Sequence, residues 1–68
     1  MRQQYVVTGM TCQHCVHHVT EEVGAVAGVT GVEVSLDGSM VVTSEGPIDF
    51  RLIQEAVAEA GNYSVSLP

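Results

Sequence analysis

The sequence predicts an α+β fold of order βαββαβ, a four-stranded antiparallel sheet with two helices on one face. Three observations predict it. Two stretches carry apolar residues three and four positions apart, four short stretches carry the β-branched and aromatic residues of strands, and glycine-bearing turn signals separate them. Gln3 to Thr8 contains Tyr5, Val6 and Val7 and stops at Gly9, which suits a strand ended by a residue tolerant of unusual backbone angles. From Cys15 onward Val16, Val19, Val23 and Val26 recur at helical spacing and share the side that faces a core. His14, His17, His18, Thr20, Glu21 and Glu22 occupy the opposite side, with Gly28 as the expected terminator. Gly24 inside this helix weakens it by about 1 kcal/mol relative to Ala.

Val32, Val34 and Leu36 then alternate with Glu33 and Ser35, and Asp37-Gly38 follows as a hairpin signal before a partner strand over Met40 to Thr43. A loop of Asp37, Gly38 and Ser39 sets Met40 and Val42 beside Leu36 and Val34; a two-residue loop sets Val41 beside Val34 instead. The sequence leaves both registers open. After Gly46-Pro47, Asp49 is the expected N-cap of a second helix, whose stripe is Leu52, Ile53, Ala56, Val57 and Ala60 before Gly61. Tyr63, Val65 and Leu67 alternate as the last strand. This order is the ferredoxin-like split βαβ arrangement.

At 68 residues the chain is expected to form a single domain, residues 1–68. Its one core hides roughly 60% of the surface the unfolded chain exposes, which excludes large catalytic scaffolds. A formal net charge of −6, with Arg2 and Arg51 standing alone, argues against nucleic acid, whose phosphates need clustered cations. It also disfavours anionic membranes. No apolar run reaches the length of a membrane span, and Met1 to Tyr5 lack the pattern of an export signal. The expectation is therefore a cytosolic protein without membrane insertion. Two cysteines three positions apart in a reducing compartment point to thiol chemistry or metal binding before a structural disulfide.

Gly9-Met10-Thr11-Cys12-Gln13-His14-Cys15 lies between the first strand and the first helix. Cys12 belongs to the loop and Cys15 to the first helical turn, so unpaired backbone N–H groups and the positive helix end lie near both sulfurs. That setting lowers thiol pKa and favours thiolates, the form that ligates metal. Physics alone offers metal binding or disulfide exchange. Two soft thiolates from one CxxC satisfy Cu(I), which accepts sulfur at low coordination number, whereas zinc asks for four ligands and would need a second CxxC, which is absent, or His residues that reach the same point. A loop-borne Cys12 leaves the metal open to an incoming ligand, which favours transfer over storage.

Gly9-Met10-Thr11-Cys12-x-x-Cys15 on a βαββαβ chain of this length resembles the heavy-metal-associated domain over essentially the whole chain. Cys12-Gln13-His14-Cys15 is similar to the site of bacterial CopZ-type copper chaperones, and Gly28-Val29 and Ala60-Gly61 echo the family's positions after each helix. The resemblance implies Cu(I) held by Cys12 and Cys15 and exchanged with the similar metal-binding domains of a copper-transporting P-type ATPase. One departure is that many members place an aromatic or Lys directly after the glycine that ends the second helix. Here Asn62 follows Gly61, and Tyr63, one residue later, is assigned to core packing.

Other residues near the thiols divide between functional and structural roles. Met10 invites a copper-ligand reading, but a methionine beside a loop is more often an anchor in the core. His14 between the thiols is aimed away from a point shared by both sulfurs, which leaves it a tuning or solvent position around the metal. His17 and His18 precede Glu21 and Glu22 by four residues, so pairing on a solvated helix face accounts for them. The functional alternative is a copper-linked homodimer that His18 joins at high copper loading. The expectation is a Cu(I) chaperone and not an enzyme. A thioredoxin-like oxidoreductase is the rival on the strength of its CxxC at a helix start, but the chain is short for that fold and Pro47 lies away from the thiols. An excised transporter module and a mercury-binding relative are further alternatives; the start at Met1 and the end soon after the fourth strand favour the expectation of a free-standing protein, and the missing export signal disfavours a periplasmic mercury carrier.

Overall fold

A computed structural model describes residues 1–68. In chain order the elements are β1 (Arg2–Thr8), α1 (Gln13–Gly24), β2 (Val29–Val34), β3 (Ser39–Ser44), α2 (Phe50–Ala60) and β4 (Ser64–Ser66). The strands form one four-stranded sheet in the order β2-β3-β1-β4, every neighbouring pair antiparallel. This is the expected βαββαβ architecture. Two-residue alternation on the strands turns Tyr5, Val7, Met40 and Val42 inward, where they meet Val19 and Val23 of α1 and Ile53, Ala56 and Val57 of α2. Phe50 opens α2 by stacking on Tyr5, ring centroids 6.0 Å apart. The Asp49 carboxylate accepts the Arg51 N–H at 2.9 Å, so the expected N-cap forms.

Three expectations are corrected. The first helix ends at Gly24 instead of running to Gly28; the Val26 N–H reaches the Val23 carbonyl and the Val29 N–H the Val26 carbonyl in successive tight turns. Nothing packs within 4 Å of a Cβ placed at Gly24, so no burial offsets the glycine's low helix propensity and the helix unwinds there. Gly28, at φ +91°, leads into β2, which starts three residues earlier than the alternation suggested.

The hairpin takes neither expected register. Val34 faces Met40 and Val32 faces Val42, because the loop is Leu36, Asp37 and Gly38, closed by the Ser35 N–H on the Ser39 carbonyl at 2.8 Å. Two local features select it. Gly38 supplies a φ of +105°, and the Asp37 carboxylate accepts the Ser39 N–H at 2.9 Å, which holds that carboxyl below the usual range. Leu36 is thereby lifted into the turn and is 44% exposed. A slip of two residues keeps each side chain on its own face, so Met40 and Val42 stay in the core.

Leu52 and Leu67 are the third correction, being 44% and 57% exposed. Ile53, Ala56, Val57 and Ala60 already fill the stripe that faces the sheet, and Leu52 sits a step around the helix from it. β4 spans Ser64–Ser66, so Leu67 lies past its end and Tyr63 before its start.

The Gly38 carbonyl accepts the Val7 N–H at 2.8 Å and ties the hairpin to the end of β1. A Cβ at Gly38 would stand 2.6 Å from the Val7 carbonyl oxygen. Gly38→Ala is expected to cost about 1–3 kcal/mol through that clash and the left-handed backbone, read as a lowered urea midpoint; an unchanged midpoint would show that the hairpin is free to leave β1. Because β1 and β2 run toward the end where β3 and β4 begin, that end gathers the hairpin, the β1–α1 loop and the α2–β4 turn.

Candidate metal centre

Cys12 is the N-cap of α1, with an extended backbone at φ −156° and ψ 173°. Its carbonyl accepts the N–H groups of Cys15 at 3.1 Å and Val16 at 3.4 Å, while its side chain makes no cap bond and stays available. One helical turn returns the chain to the same place. The Cys12 and Cys15 sulfurs consequently lie 3.6 Å apart as free thiols, Cys12 exposed and Cys15 half-buried. Metal–sulfur bonds of about 2.3 Å would bridge that gap at an angle of about 100°, and a straighter two-sulfur geometry needs only an outward turn of the exposed Cys12. No three His, Cys, Asp or Glu side chains converge anywhere as a metal-binding group, so the thiol pair has no protein third ligand.

Cys15 is the perturbed thiol. Its pKa is lowered to about 6, first by the Thr11 backbone amide directed at the sulfur and next by the Tyr63 hydroxyl, with Cys12 contributing and burial opposing. The Thr11 hydroxyl lies 3.9 Å away. In return the hydrogen bond to Cys15 raises the Tyr63 pKa, helped by burial and by the nearby sulfur charges. Two specific donors, one of them the backbone amide just before the helix, thus lead the lowering.

Tyr63 is the residue that sequence reasoning missed. Its N–H bonds the Gly61 carbonyl at 2.9 Å, a three-residue turn that takes up the extra Asn62. The ring folds back over Gly61, where a Cβ would stand 2.8 Å from a ring carbon, and also borders Gly9, where a Cβ would stand 3.3 Å from the ring and 3.0 Å from the Asn62 carbonyl oxygen. Glycine at both positions admits the ring. Tyr63 still packs against the core as expected, while its hydroxyl serves Cys15. The Gly61-Asn62 pair, favourable for a tight turn, was the one available signal.

Met10 is half-buried against the core cluster, which is the anchor role. His14 is exposed and bonded to neither sulfur. The pairing expected of His17 and His18 with Glu21 and Glu22 is not formed: Arg51–Asp49 at 3.7 Å is the only ion pair in the structure. These long side chains remain solvated, since an exposed pair gains too little to hold them.

Tyr63→Phe is expected to move the Cys15 titration up from about 6, followed by thiolate absorbance. Because the folded value lies below the ordinary thiol value, the Cys15 thiolate stabilises the metal-free fold above that ordinary range. The contribution is lost as pH falls through about 6. An unmoved midpoint in Tyr63→Phe would remove the tyrosine from the account.

The Heavy-metal-associated domain profile matches residues 5–63. The copper chaperone CopZ of Enterococcus hirae is 36% identical over 63 residues, 90% of this chain and 91% of that protein. A probable copper-exporting P-type ATPase of Archaeoglobus fulgidus is 35% identical over 63 residues, 90% of this chain and 8% of the much longer transporter. The solved structure of a CopZ metallochaperone superposes with a TM-score of 0.85 at 25% identity, covering 97% of this chain and all of that one. The chain belongs to the heavy-metal-associated domain family. No helix is long and apolar enough to cross a membrane.

Proposed function

We propose that this chain is a cytosolic Cu(I) chaperone, acting as a single domain over residues 1–68 and carrying its metal between Cys12 and Cys15 without enzymatic turnover. The observation that supports it best is a pair of free thiols 3.6 Å apart at an exposed edge, with no third ligand in reach. Zinc in that place would lack half of its usual four ligands, whereas a soft monovalent ion is satisfied by two sulfurs. Similarity to a named copper chaperone and to a segment of a copper-exporting ATPase supports the choice of cargo and makes the metal-binding domain of a copper-transporting P-type ATPase the proposed partner.

Handover proceeds by ligand exchange with no change in oxidation state. A thiolate of the partner bonds to the two-coordinate Cu(I), giving a three-sulfur centre; the bond to exposed Cys12 then breaks and its electron pair stays on sulfur. Cys15, the half-buried sulfur, is the less accessible of the two and leaves last. The exposed Thr11, Gln13 and His14 form the rim that meets the partner, and His14 tunes the metal without ligating it. Competition titration of the reduced protein with Cu(I), Zn(II) and Hg(II) tests the proposal. One Cu(I) per chain, undisturbed by excess Zn(II), is the expected result; preference for Zn(II) or Hg(II) would overturn it. A copper-linked homodimer belongs to the same reading, and sedimentation showing monomer at every copper ratio would remove that part.

A further inference from the structure

The chain holds two aspartates and one asparagine, and the residue after each governs how readily its side chain can react with the backbone. Phe50 follows Asp49 and Tyr63 follows Asn62, so a bulky side chain crowds the attacking amide nitrogen in both places. Gly38 follows Asp37 and, having no Cβ, leaves that nitrogen unhindered. The reaction open to such a pair is ring closure. The Gly38 nitrogen bonds to Cγ of the Asp37 carboxylic acid, the N–H proton and the acid hydroxyl leave as water, and a succinimide results. A second water then opens the ring at its α-carbonyl, giving isoaspartate, in which the main chain runs through Cβ and Cγ. The water lost is regained, and nothing is oxidised or reduced.

The folded hairpin opposes this reaction at both reacting atoms. Asp37 is exposed, but Gly38 is buried, and its N–H donates to the Ser35 carbonyl at 3.0 Å. The Asp37 Oδ1 accepts the Ser39 N–H at 2.9 Å, and the Gly38 carbonyl accepts the Val7 N–H at 2.8 Å. Neither side of the reacting peptide can turn without losing a bond. The Ser39 N–H also holds the carboxyl below its usual range, and an ionised carboxylate has no hydroxyl to lose. Ring closure therefore needs an open hairpin.

The product no longer fits the closed one. It puts an additional main-chain carbon into a loop of three residues that the Ser35 N–H closes on the Ser39 carbonyl at 2.8 Å. The seat against β1 has no slack, since even a Cβ at Gly38 would stand 2.6 Å from the Val7 carbonyl oxygen.

We propose that Asp37 is a modification site that records opening of the β2–β3 hairpin: its peptide bond to Gly38 rearranges to isoaspartate from the open state, and the modified hairpin stays detached from β1. The thiols take no part, so the inference stands apart from the proposed copper handover.

The test incubates the full chain at neutral pH in native buffer and in unfolding urea. Isoaspartate at position 37 is read after digestion, by chromatographic retention of the fragment and by methylation with a methyltransferase specific for isoaspartyl carboxylates. Formation is expected to be at least about tenfold slower in the folded chain, because only its opened fraction reacts. Asp37→Glu, which would have to close a larger ring, should give no signal in urea. Chain modified in urea and then refolded should have a lowered urea midpoint and faster solvent exchange at the Val7 amide. Equal rates in buffer and urea would show that the hairpin bonds do not gate the chemistry, and absence of isoaspartate in urea would remove the site. A refolded isoaspartyl chain with the parental midpoint and a protected Val7 amide would show that the tie re-forms; each of these three results overturns the inference.

Discussion

Cys12→Ser and Cys15→Ser are each expected to lose Cu(I) affinity by more than about 100-fold, beyond what changes around an intact ligand set cost. On the proposed two-sulfur site, removing either cysteine halves the donor set, and no group of three His, Cys, Asp or Glu side chains stands ready to substitute. Neither cysteine belongs to the buried cluster, so unfolding midpoints of the metal-free variants should stay within about 0.5 kcal/mol of the parent when compared at a pH below the Cys15 titration. The two substitutions differ in one readout. Cys15→Ser abolishes the thiol that titrates near 6, because that thiol is the one addressed by Thr11 and Tyr63. Protons compete for the same sulfur, so apparent affinity declines as the medium becomes more acidic than that value. Retention of parental affinity by either serine variant in a competition assay would place the metal elsewhere.

Ile53→Ala is expected to cost about 2–5 kcal/mol. Ile53 is fully buried at the centre of the α2 stripe, between the helix partner residues Val19 and Val23 and the sheet residues Met40 and Val42. At roughly 0.05–0.15 kcal/mol per residue a chain of this size holds only about 3–10 kcal/mol in total. The substitution therefore removes a large share of the stability, visible as a displaced urea midpoint. Leu52→Ala, at the exposed neighbouring position, is the control and should change the midpoint by less than about 0.5 kcal/mol. If the two substitutions cost the same, α2 is rotated from the orientation described.

That contrast shows where periodicity informs and where it stops. The order of elements, the Asp49 cap and the inward sets Val19/Val23 and Ile53/Ala56/Val57 were legible, because burial of an apolar stripe is a repeating constraint that the chain must encode at every turn. Leu52 was not, since a helix can carry more apolar residues than its buried arc has room for. The hairpin register failed for a related reason: alternation fixes which face a residue takes but not by how many pairs two strands slide, and the Gly38 backbone angle together with the Asp37–Ser39 bond settled that. The early end of α1 turned on the absence of packing at Gly24, a property of tertiary surroundings. At the site, the cysteine pair and the anchoring Met10 could be read from seven consecutive residues. Tyr63 could not, because its place depends on a turn around Asn62 and on two glycines far apart in the chain.

The contact between Gly9 and Tyr63 joins the first part of the chain to nearly its last. During synthesis both sulfurs emerge from the ribosome well before that tyrosine, and until β4 has docked Cys15 lacks one of the two donors that favour its charged form. A newborn chain thus carries the motif before it carries the finished thiol, and its full readiness for metal arrives with the completion of the fold.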